Sequence, residues 1–158
     1  MFYLYHVTLI FSEKMKPHID EAETNSECNS GDDYYKKGVL FYNCAKFRKA
    51  IENFNKCIEF NYEIPKAYVK KGQSFLRLEK YCESLDCFNK SIELMPDSNE
   101  AYLYKAICLE RNGNKEEAQL MYEKANEIIP DPNDAESKTL AQEMLNHLIM
   151  TMTIYFIS

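Results

Sequence analysis

Glycine is scarce in this chain, and histidine is scarcer. The four glycines stand apart at Gly31, Gly38, Gly72 and Gly113, so no Gly-rich loop is available to cradle a phosphate. The three histidines, His6, His18 and His147, all lie outside the central stretch from Asp32 to Pro132, and no nucleophile motif accompanies them. Carboxylate neighbours such as Glu116 and Glu117 read as complements to a helix dipole in a solvated first turn. The chain is therefore read as non-catalytic, with no cofactor. Six cysteines, Cys28, Cys44, Cys57, Cys82, Cys87 and Cys108, have no pair at the two-residue gap of a zinc knuckle. Cys82 and Cys87, five apart on an expected helix, are separated by about 140 degrees around its axis. No metal site is expected, and free thiols imply a reduced, cytoplasmic setting.

A basic excess is missing too. The formal net charge is −6, but most of it belongs to the ends: residues 1–31 carry five acids and two bases, and residues 133–158 three acids and one base. The stretch between them holds 17 acids and 16 bases, which leaves no basic stripe for a phosphate backbone and excludes nucleic acid as a partner. Long apolar runs are absent as well. Met1–Phe11 is largely apolar yet too short to span a bilayer, and it lacks the basic start and small-residue cleavage site of a secretory signal. It reads as a loosely docked or disordered extension, or as a weak membrane or partner contact. With 46% apolar and 28% charged residues over 158 positions, the composition is that of one globular domain.

What is present is a repeat. Gly38, Gly72 and Ala106 are spaced by 34 residues, and five further columns keep that beat. They are Tyr34, Tyr68 and Tyr102; Phe41, Phe75 and Leu109; Ala50, Ser84 and Ala118; Phe54, Phe88 and Tyr122; and Cys57, Ser91 and Ala125. Small residues alternate with bulky ones, as two short helices require when a large side chain of one must enter a small site on the other. Pro65, Pro96, Pro130 and Pro132 fall near the unit boundaries, where a helix must stop and restart. The first unit has Tyr62 where the others have Pro96 and Pro130, which predicts a different exit from its second helix.

A 34-residue period with this order of aromatic and small positions resembles the tetratricopeptide repeat. The resemblance covers residues 32–132 and implies an all-α solenoid of three helix-turn-helix units, at about 31–64, 65–98 and 99–132. Expected helices run from about Asp32 to Cys44, Phe47 to Phe60, Pro65 to Leu78 and Tyr81 to Met95. The third unit begins with a cap at Asp97, Ser98 or Asn99 and turns at Asn112, Gly113 and Asn114, the clearest turn signal in the chain. Before the repeats, residues 1–31 read as a flexible leader, polar from Ser12 onward. After them, a helix over 133–148 is expected to cap the stack through Ala135, Leu140, Met144, Leu145 and Leu148. Three readings stay open for the apolar tail 149–158: packing back on that helix, the start of further repeats, or sequence foreign to the folded module.

The resemblance further implies a non-catalytic protein-binding module, a scaffold whose concave surface is lined by the first helix of each unit. By the 34-residue register, unit one contributes Tyr35, Val39, Tyr42 and Asn43. Unit two contributes Lys66, Val69, Lys70, Gln73 and Arg77, and unit three Glu100, Leu103, Tyr104, Ile107 and Glu110. Tyr35, Val39, Val69, Leu103 and Ile107 form an apolar stripe, Tyr42 and Tyr104 amphipathic anchors, and Lys66, Lys70 and Arg77 a basic middle. Such a surface suits an extended or helical partner segment with apolar anchors and one acidic group. Members that serve chaperones hold the C-terminal carboxylates of Hsp70 or Hsp90 with Lys and Asn in unit one, Asn in unit two, and Lys and Arg in unit three. The matching positions here are Tyr35 and Val39, Lys70, and Glu100 and Tyr104, so that clamp is not expected, and Glu100 would repel a carboxylate. The alternatives are a chaperone adaptor without the clamp and a structural piece of a larger repeat assembly.

Overall fold

The computed structural model of the protein describes residues 28–128 together with 143, 144, 146, 147 and 149. The expectations for residues 1–27, for the capping helix over 133–142 with Leu145 and Leu148, and for the tail beyond 149 lie outside the described residues. Six helices are described: α1 (Gly31–Asn43), α2 (Phe47–Glu59), α3 (Ile64–Arg77), α4 (Tyr81–Leu94), α5 (Asn99–Arg111) and α6 (Lys115–Glu127). No strand occurs among the described residues. The chain divides into two compact units, one ending at Glu63 and the other beginning at Ile64.

In the first unit α1 pairs with α2 around Phe41, Ala50 and Phe54. The contact is set by Gly38, where an added Cβ would lie 2.6 Å from the Phe54 ring. The same arrangement recurs between α3 and α4, where a Cβ on Gly72 would lie 2.6 Å from the Phe88 ring. Ser84, fully buried opposite, donates its hydroxyl to the Gly72 carbonyl at 2.8 Å, so a polar residue can fill that small column without an orphaned group. Between α5 and α6, Ala106 and Tyr122 occupy the two columns, both fully buried in the core cluster of the second unit. Met144, on the helical stretch after α6, packs against that cluster, with its sulfur 3.9 Å from the Tyr122 hydroxyl.

Side-chain caps close the starts of α1 and α5, and the sequence predicts only one of them. Ser30, within the stretch that reads as leader, caps α1: its hydroxyl accepts from the Asp33 N–H at 3.2 Å, and the Asp33 carboxylate accepts from the Ser30 N–H at 3.1 Å. This reciprocal box satisfies two backbone donors and starts α1 one residue before Asp32. At α5 the cap is Ser98, whose hydroxyl accepts from the Ala101 N–H at 3.3 Å.

Each helix pair turns in the same way. The N–H groups of Lys46, Lys80 and Asn114 donate to the carbonyls of Phe41, Phe75 and Leu109 at 2.9, 3.0 and 2.9 Å. The preceding residues, Ala45, Glu79 and Gly113, are left-handed, with φ of 57°, 59° and 90°. This is the six-to-one bond that closes a helix through a left-handed residue. Only the third repeat has glycine there, so only its turn is visible in the sequence. The exit from α2 differs from that of α4, as Tyr62 predicts. Asn61 is left-handed at φ 53° and the Tyr62 N–H donates to the Cys57 carbonyl at 3.2 Å. In the next repeat Pro96 has no N–H to make that bond, and Met95 before it is extended, with φ −143° and ψ 85°.

Two stability measurements check this account. Gly72→Ala is expected to lower unfolding stability by about 1–3 kcal/mol in urea titrations, the cost of overpacking outweighing the better helix propensity of alanine. Stability equal to the parent's would mean that the Phe88 ring yields at no cost. Glu79→Gly, by contrast, is expected to raise stability by about 1 kcal/mol because it removes a left-handed Cβ. A loss would show that the turn does not carry that strain.

Candidate functional site

The surface that the register assigns to binding is made by the first helix of each repeat. On α1, Tyr35, Val39 and Tyr42 are half-buried against the Phe41, Ala50 and Phe54 cluster, and Asn43 is exposed. Ring contacts hold the two tyrosines: Tyr35 lies edge-on to Phe54 at 6.0 Å, and Tyr42 to Phe47 at 5.6 Å.

In the second unit α3 and α5 touch, and this contact sorts the expected binding residues into two groups. Val69 at 1%, Gln73 at 2%, Leu103 at 2% and Ile107 at 9% exposure are buried. Val69, Leu103 and Ile107 belong to the core cluster, so the apolar stripe on these helices serves as packing rather than as open surface. Its spacing is that of a helix face, which a sequence cannot assign to a partner or to the neighbouring repeat. Lys66 and Arg77 are exposed, and Tyr104 is half-buried with its ring stacked on Phe88 at 6.2 Å.

Within the basic middle, Lys70 is paired. Lys70 does not present a bare charge: its ammonium is 3.0 Å from the Glu100 carboxylate. The same carboxylate oxygen accepts from the Gln73 side-chain amide at 2.9 Å, and Lys70 also donates to the Gln73 carbonyl oxygen at 3.4 Å. Three side chains from α3 and α5 thus close a polar ring at the surface of this face. Glu110 is engaged as well, accepting from the Tyr122 hydroxyl at 2.8 Å, and burial together with that bond raises the Tyr122 phenol above its ordinary value.

A cleft of about 460 Å³ in the first unit has no signature in the repeat pattern. Lys37, Lys49 and Lys56 line it with Glu52, Tyr34 and Phe41. The Lys49 ammonium stands 5.6 Å from the Phe41 ring centre, and that of Lys56 stands 5.2 Å from Tyr34's. Its lysines come from both helices, so only the folded pair collects them.

The model of the tetratricopeptide repeat matches residues 34–63, 65–98 and 100–132. The chain belongs to the tetratricopeptide repeat family. Among solved structures it is similar to the first TPR of Spaghetti (RPAP3) bound to the HSP90 peptide SRMEEVD, at 17% identity and a TM-score of 0.68, over 82% of this chain and 98% of that one. It is also similar to PcrH of Pseudomonas aeruginosa in complex with the chaperone binding region of PopB, at 17% identity and a TM-score of 0.69, over 77% of this chain and 98% of that one. A third is the Yersinia enterocolitica type III secretion translocator chaperone SycD, at 18% identity and a TM-score of 0.70, over 74% of this chain and 88% of that one. These likenesses concern the fold. No curated protein matches the chain at a significant level.

In this tetratricopeptide repeat protein, no group of metal-ligating side chains occurs among the described residues, and no described helix is long and apolar enough to cross a membrane. None of the six cysteines forms a disulfide. Cys57 and Cys87 are buried, which pushes each thiol from 9.0 up to about 11. A thiol raised in the folded state stabilises the fold fully below the unfolded value, and that stability is lost as pH rises through the interval between 9.0 and about 11. At pH 8 a maleimide is expected to label exposed Cys82 first and to reach Cys57 and Cys87 only at the rate of unfolding. Mass spectrometry of the labelled peptides would contradict the buried packing if all three reacted together.

Proposed function

We propose that this chain is a non-catalytic protein-interaction module and that the face made by α3 and α5 receives a segment of a partner protein. The observation that carries this reading is the composition of that face in a family-typical position. Exposed Lys66 and Arg77 lie one helical turn before Lys70 and one after Gln73 on α3, and half-buried Tyr104 one turn after Glu100 on α5, giving aromatic and charged contacts of the kind that dominate binding energies. Tyr35, Val39 and Tyr42 offer apolar and aromatic contacts on α1 of the first unit. Val69, Leu103 and Ile107 support the face from beneath. The partner segment is extended or helical, and the working place of the protein is the reducing cytoplasm, in keeping with cysteines that form no disulfide.

Relatives in fold support the mode of action. The Spaghetti domain is bound to a peptide, and PcrH is bound to a region of PopB. The second of these favours a variant of the same reading, a chaperone-type adaptor that holds its client without a carboxylate clamp. At the five clamp positions this chain has Tyr35, Val39, Lys70, Glu100 and Tyr104, and its one lysine there is paired with Glu100.

Site-specific photo-cross-linking in the native cell tests the reading. A photoreactive residue at position 66 or 77 is expected to give partner adducts that the same residue at exposed positions 93 and 116, on α4 and α6, does not. Identical adducts from both sets of positions, or none from 66 and 77, would count against the face.

A further inference from the structure

Glu100 stands where the face would otherwise offer a seat for a carboxylate. Two donors converge on its Oε1: the Lys70 ammonium at 3.0 Å and the Gln73 amide at 2.9 Å. Neither donor is loosely placed. Gln73 is only 2% exposed, and its amide is oriented at both ends, its oxygen accepting from Lys70 and its nitrogen donating to Glu100. A cation and a buried, oriented amide aimed at one point make a carboxylate receptor. The protein fills that receptor itself, from the first turn of α5, where an acidic side chain is also favoured by the helix dipole.

We propose that Glu100 is the specificity-determining residue of the α3 and α5 face, an internal occupant that excludes acidic partner segments. The inference rests on the reading of this face as the binding surface. An incoming carboxylate must displace a group tethered beside its donors, whose effective concentration is far above that of a free ligand, and it meets like charge on approach. The Glu100 side chain is 38% exposed, so it can in turn accept from a donor on a partner. The face therefore selects a segment that lays a hydroxyl, amide or cationic group over the start of α5 and carries no carboxylate there.

The test measures fluorescence anisotropy with a labelled, end-blocked tri-glutamate peptide and its tri-glutamine counterpart, using the full chain at low salt. The parent protein is expected to bind the tri-glutamate peptide no better than the tri-glutamine one. Glu100→Ala vacates the seat and is expected to tighten tri-glutamate binding about tenfold, the scale of a hydrogen bond to a charged group, with no change for tri-glutamine. Glu100→Gln, which keeps a side chain in the seat, should gain less. Adding Lys70→Met to Glu100→Ala should abolish the gain. The proposal is overturned if Glu100→Ala binds tri-glutamate like the parent, or if the gain survives Lys70→Met and so reflects net charge alone. Because the probe is synthetic, this outcome is independent of the cross-linking result. The seat can fail while the face still binds its partner, and cross-linking can fail while the seat behaves as described.

Discussion

The contact on which this structure depends is a phenylalanine ring seated against a residue with no side chain. Phe54 over Gly38 and Phe88 over Gly72 set how closely the two helices of a repeat approach. That approach buries the Ala50 and Ser84 columns and brings each pair to the geometry its turn can close. The third pair solves the same problem with Ala106 and Tyr122. The tyrosine brings a hydroxyl into the core, and Glu110 supplies the acceptor it requires. Small meeting large is thus a rule with variants, each variant matched by a local compensation.

The turns obey a similar logic. All three close on one hydrogen-bond pattern that needs a left-handed residue, although alanine and glutamate occupy that position in the first two repeats. The backbone conformation is imposed by the helix pair on either side, and the residue conforms at a cost. Only where the sequence offers Gly113 do local preference and tertiary demand agree. At the exit from the second helix the order of control is reversed: the six-to-one bond forms where the residue has an N–H, as Tyr62 does, and cannot form where it has none, as at Pro96.

Side-by-side contact of α3 and α5 has consequences for binding. It turns residues that look like ligand anchors into core, and it turns a lysine that looks like a ligand contact into half of an ion pair. Lys70 and Glu100 are 30 residues apart, and the register places them on first helices of successive repeats. Their proximity follows from stacking and is not announced by local sequence. The surface that remains is less basic and less apolar than its helical wheel implies, and it carries the hydrogen-bonded Lys70, Gln73 and Glu100 ring.

The sequence alone was sufficient for the period, the all-helical class, the family and the small and large columns, because these depend on residues that meet within one repeat, where spacing along the chain is nearly spacing in space. It was also sufficient for the altered exit at Tyr62, since the missing proline acts on its own backbone. Tertiary structure decided which side of the expected binding stripe faces water. Val69 and Leu103 have the same helical spacing whether they meet a ligand or the next helix, and only the packing of α3 on α5 chooses between those fates. It also decided the left-handed turns at Ala45 and Glu79, the lysine cleft drawn from α1 and α2, and the neutralisation of Lys70. Each of these joins residues whose relation is set by the fold and not by their neighbours in the chain.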